Sequence, residues 1–167
     1  MNWILVDEAE LNDADEVWLS GVRAEHIRSV LHLCVGDRVR MVCVNGPRGE
    51  GTIMEWQEEM VRVACVWGAV PLRPTLHLLL AMPRPKVLRR LWAQIAALGV
   101  NHVYLLGANR VERYYFDSHV LQRDMYEPLL REGLAQSGGS WMPTALNYRF
   151  VTYVKQIHPI WWSAVLI

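Results

Sequence analysis

At 167 residues with 52% apolar and 20% charged side chains, the chain can bury a sizeable core, and this composition excludes disorder as its main state. Its seventeen bases balance seventeen acids, but residues 1–59 hold twelve acids and five bases, residues 60–116 hold eight bases and only Glu112, and residues 117–167 hold four of each. A basic middle inside a neutral chain points to a polyanion such as RNA.

Trp3–Val6 reads as a short strand, Asp7–Glu16 as a solvated acidic loop and Val17–Leu19 as a second strand. Ser20 is placed to cap a helix from Val22 to about Leu33, with Val22, Ile27, Val30, Leu31 and Leu33 as one buried stripe. Gly36-Asp37 ends it. Strands follow at 37–44, 50–56 and 61–67, and the glycine-rich 45–51 run reads as a hairpin turn because it lacks the Gly-Lys-Ser/Thr ending of a phosphate loop. These elements make a small β-barrel with one helix, ending near residue 72, and Pro71 and Pro74 bracket a linker.

The continuous apolar run Thr75–Ala81 suits a strand covered on both faces. Val87, Leu88, Leu91, Ile95 and Leu98 give helical spacing over 86–98, Gly99 stops that helix, and His102–Leu106 returns as a strand. Residues 75–107 therefore form one βαβ unit, the seed of a parallel sheet. A further helix is expected from Arg123 to Gln136 and a short strand over Ala145–Tyr148.

No stretch of about 18 consecutive apolar residues appears, and Met1-Asn2-Trp3 lacks a basic start leading into an apolar run. The expectation is a soluble, cytoplasmic protein with no membrane partner. Cys34, Cys43 and Cys65 are odd in number and lack zinc-site spacing, so buried free thiols and no metal are expected.

Four stretches carry a resemblance. They are Arg23-Ala-Glu-His26-Ile-Arg28-Ser-Val-Leu31 with Gly36-Asp37; Leu79-Leu-Ala-Met-Pro-Arg-Pro-Lys86 with Leu98-Gly99-Val100; Asn109-Arg110-Val111-Glu112-Arg113; and Gly133-Leu-Ala-Gln136-Ser-Gly138 with Pro143. In this order they resemble the RsmE family of 16S rRNA uridine-N3 methyltransferases. The resemblance spans about residues 1–147. It implies an α+β chain: a PUA-like RNA-binding β-barrel over residues 1–72, then a partial α/β SPOUT (trefoil-knot) methyltransferase domain over residues 75–167. It further implies 16S rRNA or the small ribosomal subunit as partner, S-adenosylmethionine as cofactor and a family homodimer.

Two positions depart from the family pattern: Ala97 stands where an acid is usual, and Gly139 where an arginine is expected. A larger departure is the lack of a Gly-Pro-Glu-Gly-Gly loop and of the Leu-Gly and Leu-Arg-x-Glu-Thr segments that form the family's cofactor knot. Ile157-His158-Pro159 is comparable to a step that precedes the knot in some relatives, whereas Trp161-Trp162 has no counterpart. The expectation is thus a C-terminally truncated member with no recognisable cofactor-binding or catalytic residues, unable to form the family dimer. The rival readings are an RNA-binding module without catalysis and a non-functional remnant with an exposed, aggregation-prone 157–167 tail.

Eight residues are candidates for RNA contact: His26 and Arg28 on the barrel helix, the acid-free cluster Arg84, Lys86, Arg89 and Arg90, Arg110 past a parallel strand's carboxyl end, and Gln136. For His26, Arg28 and the cluster the alternative is an ordinary solvated helix face. Gln136 is equally suited to presenting an amide to RNA or to capping its own helix. Trp92 and Trp141 could stack on bases, but helical spacing assigns Trp92 to the core. Arg113 could pair with Glu112 or Asp117.

Overall fold

The computed structural model describes residues 3–108, 111–148 and 165–166. It divides into two compact units, residues 1–72 and 73–167.

The first unit is a curled five-stranded sheet with one helix. Strands β1 (Ile4–Val6), β2 (Glu16–Leu19), β3 (Arg38–Cys43), β4 (Arg48–Gln57) and β5 (Met60–Trp67) lie in the order β1-β3-β4-β5-β2. Only β1 and β3 pair in parallel. Period-two alternation turns Val39 and Met41 inward and Arg38 and Arg40 outward. Val42, on the opposite face from Met41, is nevertheless fully buried and pairs with Leu5 of β1. The core joins Ile4, Val6, Val17, Leu19, Ile27, Ile53, Val61 and Val63. Gly51 is required by this packing, since a Cβ there would lie 2.3 Å from Val63 Cγ1 and 2.9 Å from Met41 Cγ. The 45–51 run is the β3–β4 hairpin, with Asn45 in the left-handed region at φ +59°.

Helix α1 is shorter than the spacing predicts, spanning Gly21–Ser29. The chain leaves the helix at Val30, and His32 adopts φ +53°. Leu31 and Leu33 then pack on the core from an irregular turn, while Val30 and Val22 are 60% and 80% exposed. The five-residue stripe presumed an unbroken helix. Ala24 and Ile27, one turn apart, are the residues α1 buries. Ser20 occupies the N-cap position, but its side chain makes no capping hydrogen bond. The acidic loop contains a 3-10 turn at Glu8–Glu10, closed by Glu10 Oε2 accepting from the Asp7 amide at 2.9 Å.

The thiol expectation needs one correction. Cys43 and Cys65 are buried, but Cys34 is exposed because it falls beyond the shortened helix. Burial, followed by the charge of Asp15, pushes the Cys65 thiol up to about 11, so it is an inert core group.

The second unit is a parallel sheet of β6 (His77–Ala81), β7 (His102–Leu106), β8 (Thr144–Tyr148) and β9 (Val165–Leu166) in the order β8-β7-β6-β9. Helix α2 (Pro85–Ala97) links β6 to β7, and α3 (Arg123–Ser137) follows on the path to β8. Pro85 opens α2, where its missing N–H costs nothing, and Gly99 at φ +74° lets the chain turn out after it. Adjacent Leu79 and Leu80 point to opposite faces and are both buried, as a strand covered twice requires. On α2 the buried residues are Leu88, Trp92, Ile95 and Ala96, whereas Val87 and Leu98 at the ends of the expected stripe are exposed.

Trp92 is fully buried, its ring centroid 5.0 Å from that of Tyr126 on α3. Gly133 brings α3 against the α2 backbone, since a Cβ there would lie 2.0 Å from the Ala93 carbonyl oxygen. Within the 157–167 tail, Val165–Leu166 forms strand β9, paired with β6 through Leu78–Val165 and Leu79–Leu166. Arg110, Ile157-His158-Pro159 and Trp161-Trp162 lie outside the described residues.

Candidate nucleic-acid interface

Charge separates along the division between the units. Residues 1–72 hold twelve acids and six bases, net −6, and residues 73–167 hold five acids and eleven bases, net +6. In the first unit several arginines are engaged by neighbouring carboxylates. Arg23 donates to Glu10 at 2.6 Å and to the Leu5 carbonyl at 3.0 Å. Arg62 bridges Glu16 at 3.0 Å and Glu55 at 3.2 Å, and its guanidinium pKa is raised chiefly by the Glu16 hydrogen bond.

The candidates on α1 fare differently from a free cationic face. Arg28 is exposed, but its guanidinium lies 4.5 Å from the Trp56 ring centroid and donates to the Glu58 carbonyl at 2.5 Å. It ties the helix to the β4–β5 turn. His26, two residues before it, is half-buried.

In the second unit, Arg84 is the residue preceding α2, and Lys86, Arg89 and Arg90 lie on its first turns. Spacings of three and four put Lys86, Arg89 and Arg90 on one face. All four are exposed, and among the described residues none enters a hydrogen bond or ion pair with a carboxylate. The α3 arginines contrast with them. Arg123 and Arg131 both pair with Glu127, at 2.6 and 3.5 Å, and the Arg123 hydrogen bond holds the Glu127 carboxyl below its ordinary range.

Topology gives this cluster a location. The connections run from β6 to β7 to β8 in one direction, and the chain then returns to the far side of β6 as β9. The strand order therefore reverses at β6, and open parallel sheets bind ligands at the carboxyl ends of strands at such a reversal. Met82, Pro83 and Arg84 leave β6 at that end.

Gln136 is exposed and donates to Glu132 at 3.3 Å. It does not cap its helix; Gly138, left-handed at φ +73°, ends α3 with its amide donating to the Leu134 carbonyl at 2.7 Å. Trp141 is half-buried, with the Arg73 guanidinium 5.3 Å from its ring centroid, and Arg73 also donates to Asn101 Oδ1 at 3.0 Å.

Sequence reasoning passed over the aromatic run Tyr114-Tyr115-Phe116 in the 3-10 turn after β7. Phe116 is buried, whereas Tyr114 is 65% exposed, with its ring edge-on to Tyr115 at 4.8 Å. The available signal was three consecutive aromatics just beyond a parallel strand. His102, whose pKa is lowered by burial and then by His77 and Arg73, begins β7 and so stands at the opposite end of the sheet.

Comparison with known proteins agrees with this architecture. Residues 71–158 match the model of the RNA methyltransferase domain family. A curated relative, the ribosomal RNA small subunit methyltransferase E of Treponema pallidum, is 32% identical over 121 residues, which are 71% of this chain and 45% of the relative. The chain thus spans less than half of that relative's length. Among solved structures, a probable rRNA-methyltransferase from Porphyromonas gingivalis superposes with a TM-score of 0.68 at 18% identity, over 93% of this chain and 64% of the other. The ribosomal RNA small subunit methyltransferase E of Neisseria gonorrhoeae, solved with S-adenosyl methionine, gives 0.65 at 14% identity over 89% and 61%. At such identities these two structures speak for the shared α+β fold. The family match carries the assignment: the chain belongs to the RNA methyltransferase domain family.

Proposed function

We propose that this chain is the RNA-holding portion of an S-adenosylmethionine-dependent methyltransferase acting on N3 of a uridine in 16S rRNA. In this reading residues 1–72 serve as a PUA-like barrel and residues 75–167 as a partial SPOUT domain. The observation that carries it is the exposed cluster Arg84, Lys86, Arg89 and Arg90, which starts at the strand-order reversal and has no carboxylate partner among the described residues. Each phosphate neutralised by such a group steepens the fall of affinity with salt by about 0.7 to 0.9 in log–log slope. Arg110 and Gln136 are kept as further RNA contacts in this reading, Gln136 at the α3 end that leads into the start of β8, the opposite end of the sheet from Arg84. His26 and Arg28 contribute from the barrel, Arg28 with part of its donor capacity already used by Glu58.

The described loops at the carboxyl ends of β6 and β7 do not fit the methyl donor. The described segments leaving β6 and β7 are Met82-Pro83-Arg84 and Gly107-Ala108, and no glycine occurs after Gly139 in the whole sequence. A loop that wraps a cofactor with its backbone needs close approach that side chains obstruct. Transfer of a methyl group depends on holding donor and acceptor together, and that positioning is not built into these loops. The reading therefore assigns RNA binding, rather than methyl transfer, to the described residues.

Two titrations test it on one preparation whose folding is verified by circular dichroism. A 16S rRNA fragment should bind with an affinity that falls steeply from low to moderate salt, and calorimetry with S-adenosylmethionine should show no heat of binding. Salt-independent or absent RNA binding by the folded protein removes the reading. Micromolar cofactor binding would return catalysis to this chain.

A further inference from the structure

Tyr114 and Arg84 come from segments far apart in sequence. Arg84 follows β6 and precedes α2, while Tyr114 lies in the turn that follows β7. Strands β6 and β7 are adjacent and parallel, with Ala81 beside Leu106 at their carboxyl ends, so both segments leave the same end of the sheet. At that end the Arg84 charge acts on the Tyr114 hydroxyl, opposing the upward shift set first by its hydrogen bond to Tyr115. Tyr114 is 65% exposed, and Tyr115, edge-on at 4.8 Å, braces its ring. A large aromatic held open to solvent at the same end of the sheet as a cation lacking a carboxylate partner among the described residues is unusual for a core-forming side chain. Phe116, two residues on, is the member of the run that fills the core.

From this juxtaposition we propose that Tyr114 is a stacking platform for an unpaired RNA base, with Arg84 contacting the phosphate beside it. The proposal rests on the RNA-binding reading above and deepens it by naming where a single-stranded nucleotide is held. The chemistry is that of single-strand recognition. An exposed ring offers a face to any base, and a neighbouring guanidinium neutralises the backbone that carries it. A duplex keeps its bases stacked on one another and has none to offer. The site therefore selects an unpaired base over a paired one, while the α2 cluster serves paired and unpaired RNA alike.

The test uses the full chain, a single-stranded uridine oligonucleotide, a duplex of equal length and a 16S rRNA fragment. Tyr114→Ala should weaken binding of the single strand by roughly 5- to 150-fold, the range for one base–aromatic stack, with an unchanged salt slope and unchanged duplex affinity. Tyr114→Phe should restore the affinity. Arg84→Ala should lower the salt slope by about 0.7 on the single strand. If Tyr114→Ala binds like the wild type while Arg89→Ala with Arg90→Ala weakens binding, the platform is refuted and the RNA reading survives. Binding of the rRNA fragment without the uridine oligonucleotide likewise refutes the platform alone. If the folded wild type binds none of the three, both fall.

Discussion

Gly133→Ala sets two effects of known sign against each other. In a helix exposed to solvent this change stabilises by about 0.8–1.0 kcal/mol, because alanine loses less backbone entropy. Here the new Cβ would lie 2.0 Å from the Ala93 carbonyl oxygen, 2.8 Å from its carbon and 3.0 Å from its Cα. Comfortable contacts between carbon atoms are about 3.5–4.0 Å. All three atoms are backbone within α2, so no side chain can swing away, and the helices must separate by more than an ångström. That loosens the packing around Trp92 and Leu134, both of which are buried. Three rigid backbone atoms this close put the overpacking cost at the upper end of its range, about 2–3 kcal/mol, which leaves a net loss of roughly 1–2 kcal/mol after the propensity gain. For a unit of this size each kcal/mol shifts Tm by about 4–8 °C. The expected result in a thermal melt followed by circular dichroism is a transition about 4–16 °C lower. An unchanged or raised Tm would refute the close α2–α3 approach and the reasoning built on it.

Three further outcomes are expected. Arg89→Ala with Arg90→Ala should weaken rRNA binding far more at low salt than at high salt, reducing the log–log slope by about 1.4–1.8; equal loss at both salts would deny them phosphate contacts. Trp92→Ala should destabilise by about 3–5 kcal/mol in urea unfolding, since the indole is fully buried against Tyr126; a loss below about 1 kcal/mol would place the ring outside the core. His102 has a pKa lowered by burial, then by His77 and Arg73, so the unfolded chain takes up its proton first as pH falls. Its contribution to stability is complete above the ordinary histidine range and declines as pH drops below about 6.5. The Tm should therefore fall between pH 7 and pH 5, and His102→Asn should flatten that dependence; an unflattened profile in the variant would assign the acid sensitivity elsewhere.

Where local pattern sufficed, the reading from residues and the folded chain agree. His102–Leu106 is a strand as expected, and α3 begins at Arg123, where the further helix is expected. Trp92 is core, as helical spacing assigns it. The failures share a cause. Periodicity extends a helix until a breaker appears and so places Val30 on a buried stripe, whereas α1 stops once Leu31 and Leu33 can reach the core from a turn; Val22, inside α1, lies on the face away from Ala24 and Ile27. Arg28 looked like a free cation because nothing adjacent in sequence announces Glu58 and Trp56 as its partners. Tyr114 was passed over because its neighbour Arg84 lies thirty positions away, across a helix and a strand.

The amino-acid order by itself determined the alternation of the strands, the amphipathic helices, the family likeness and the placement of surplus bases in the second half, since each is a property of nearby residues or of composition. Only the tertiary structure decided that Val165–Leu166 closes against β6, and so that the strand order reverses beside Arg84. It also decided which arginines meet a carboxylate and which aromatic ring stays open to solvent. Such outcomes depend on pairing between segments distant in the chain, whose register is set by the whole packed core rather than by any local run of residues.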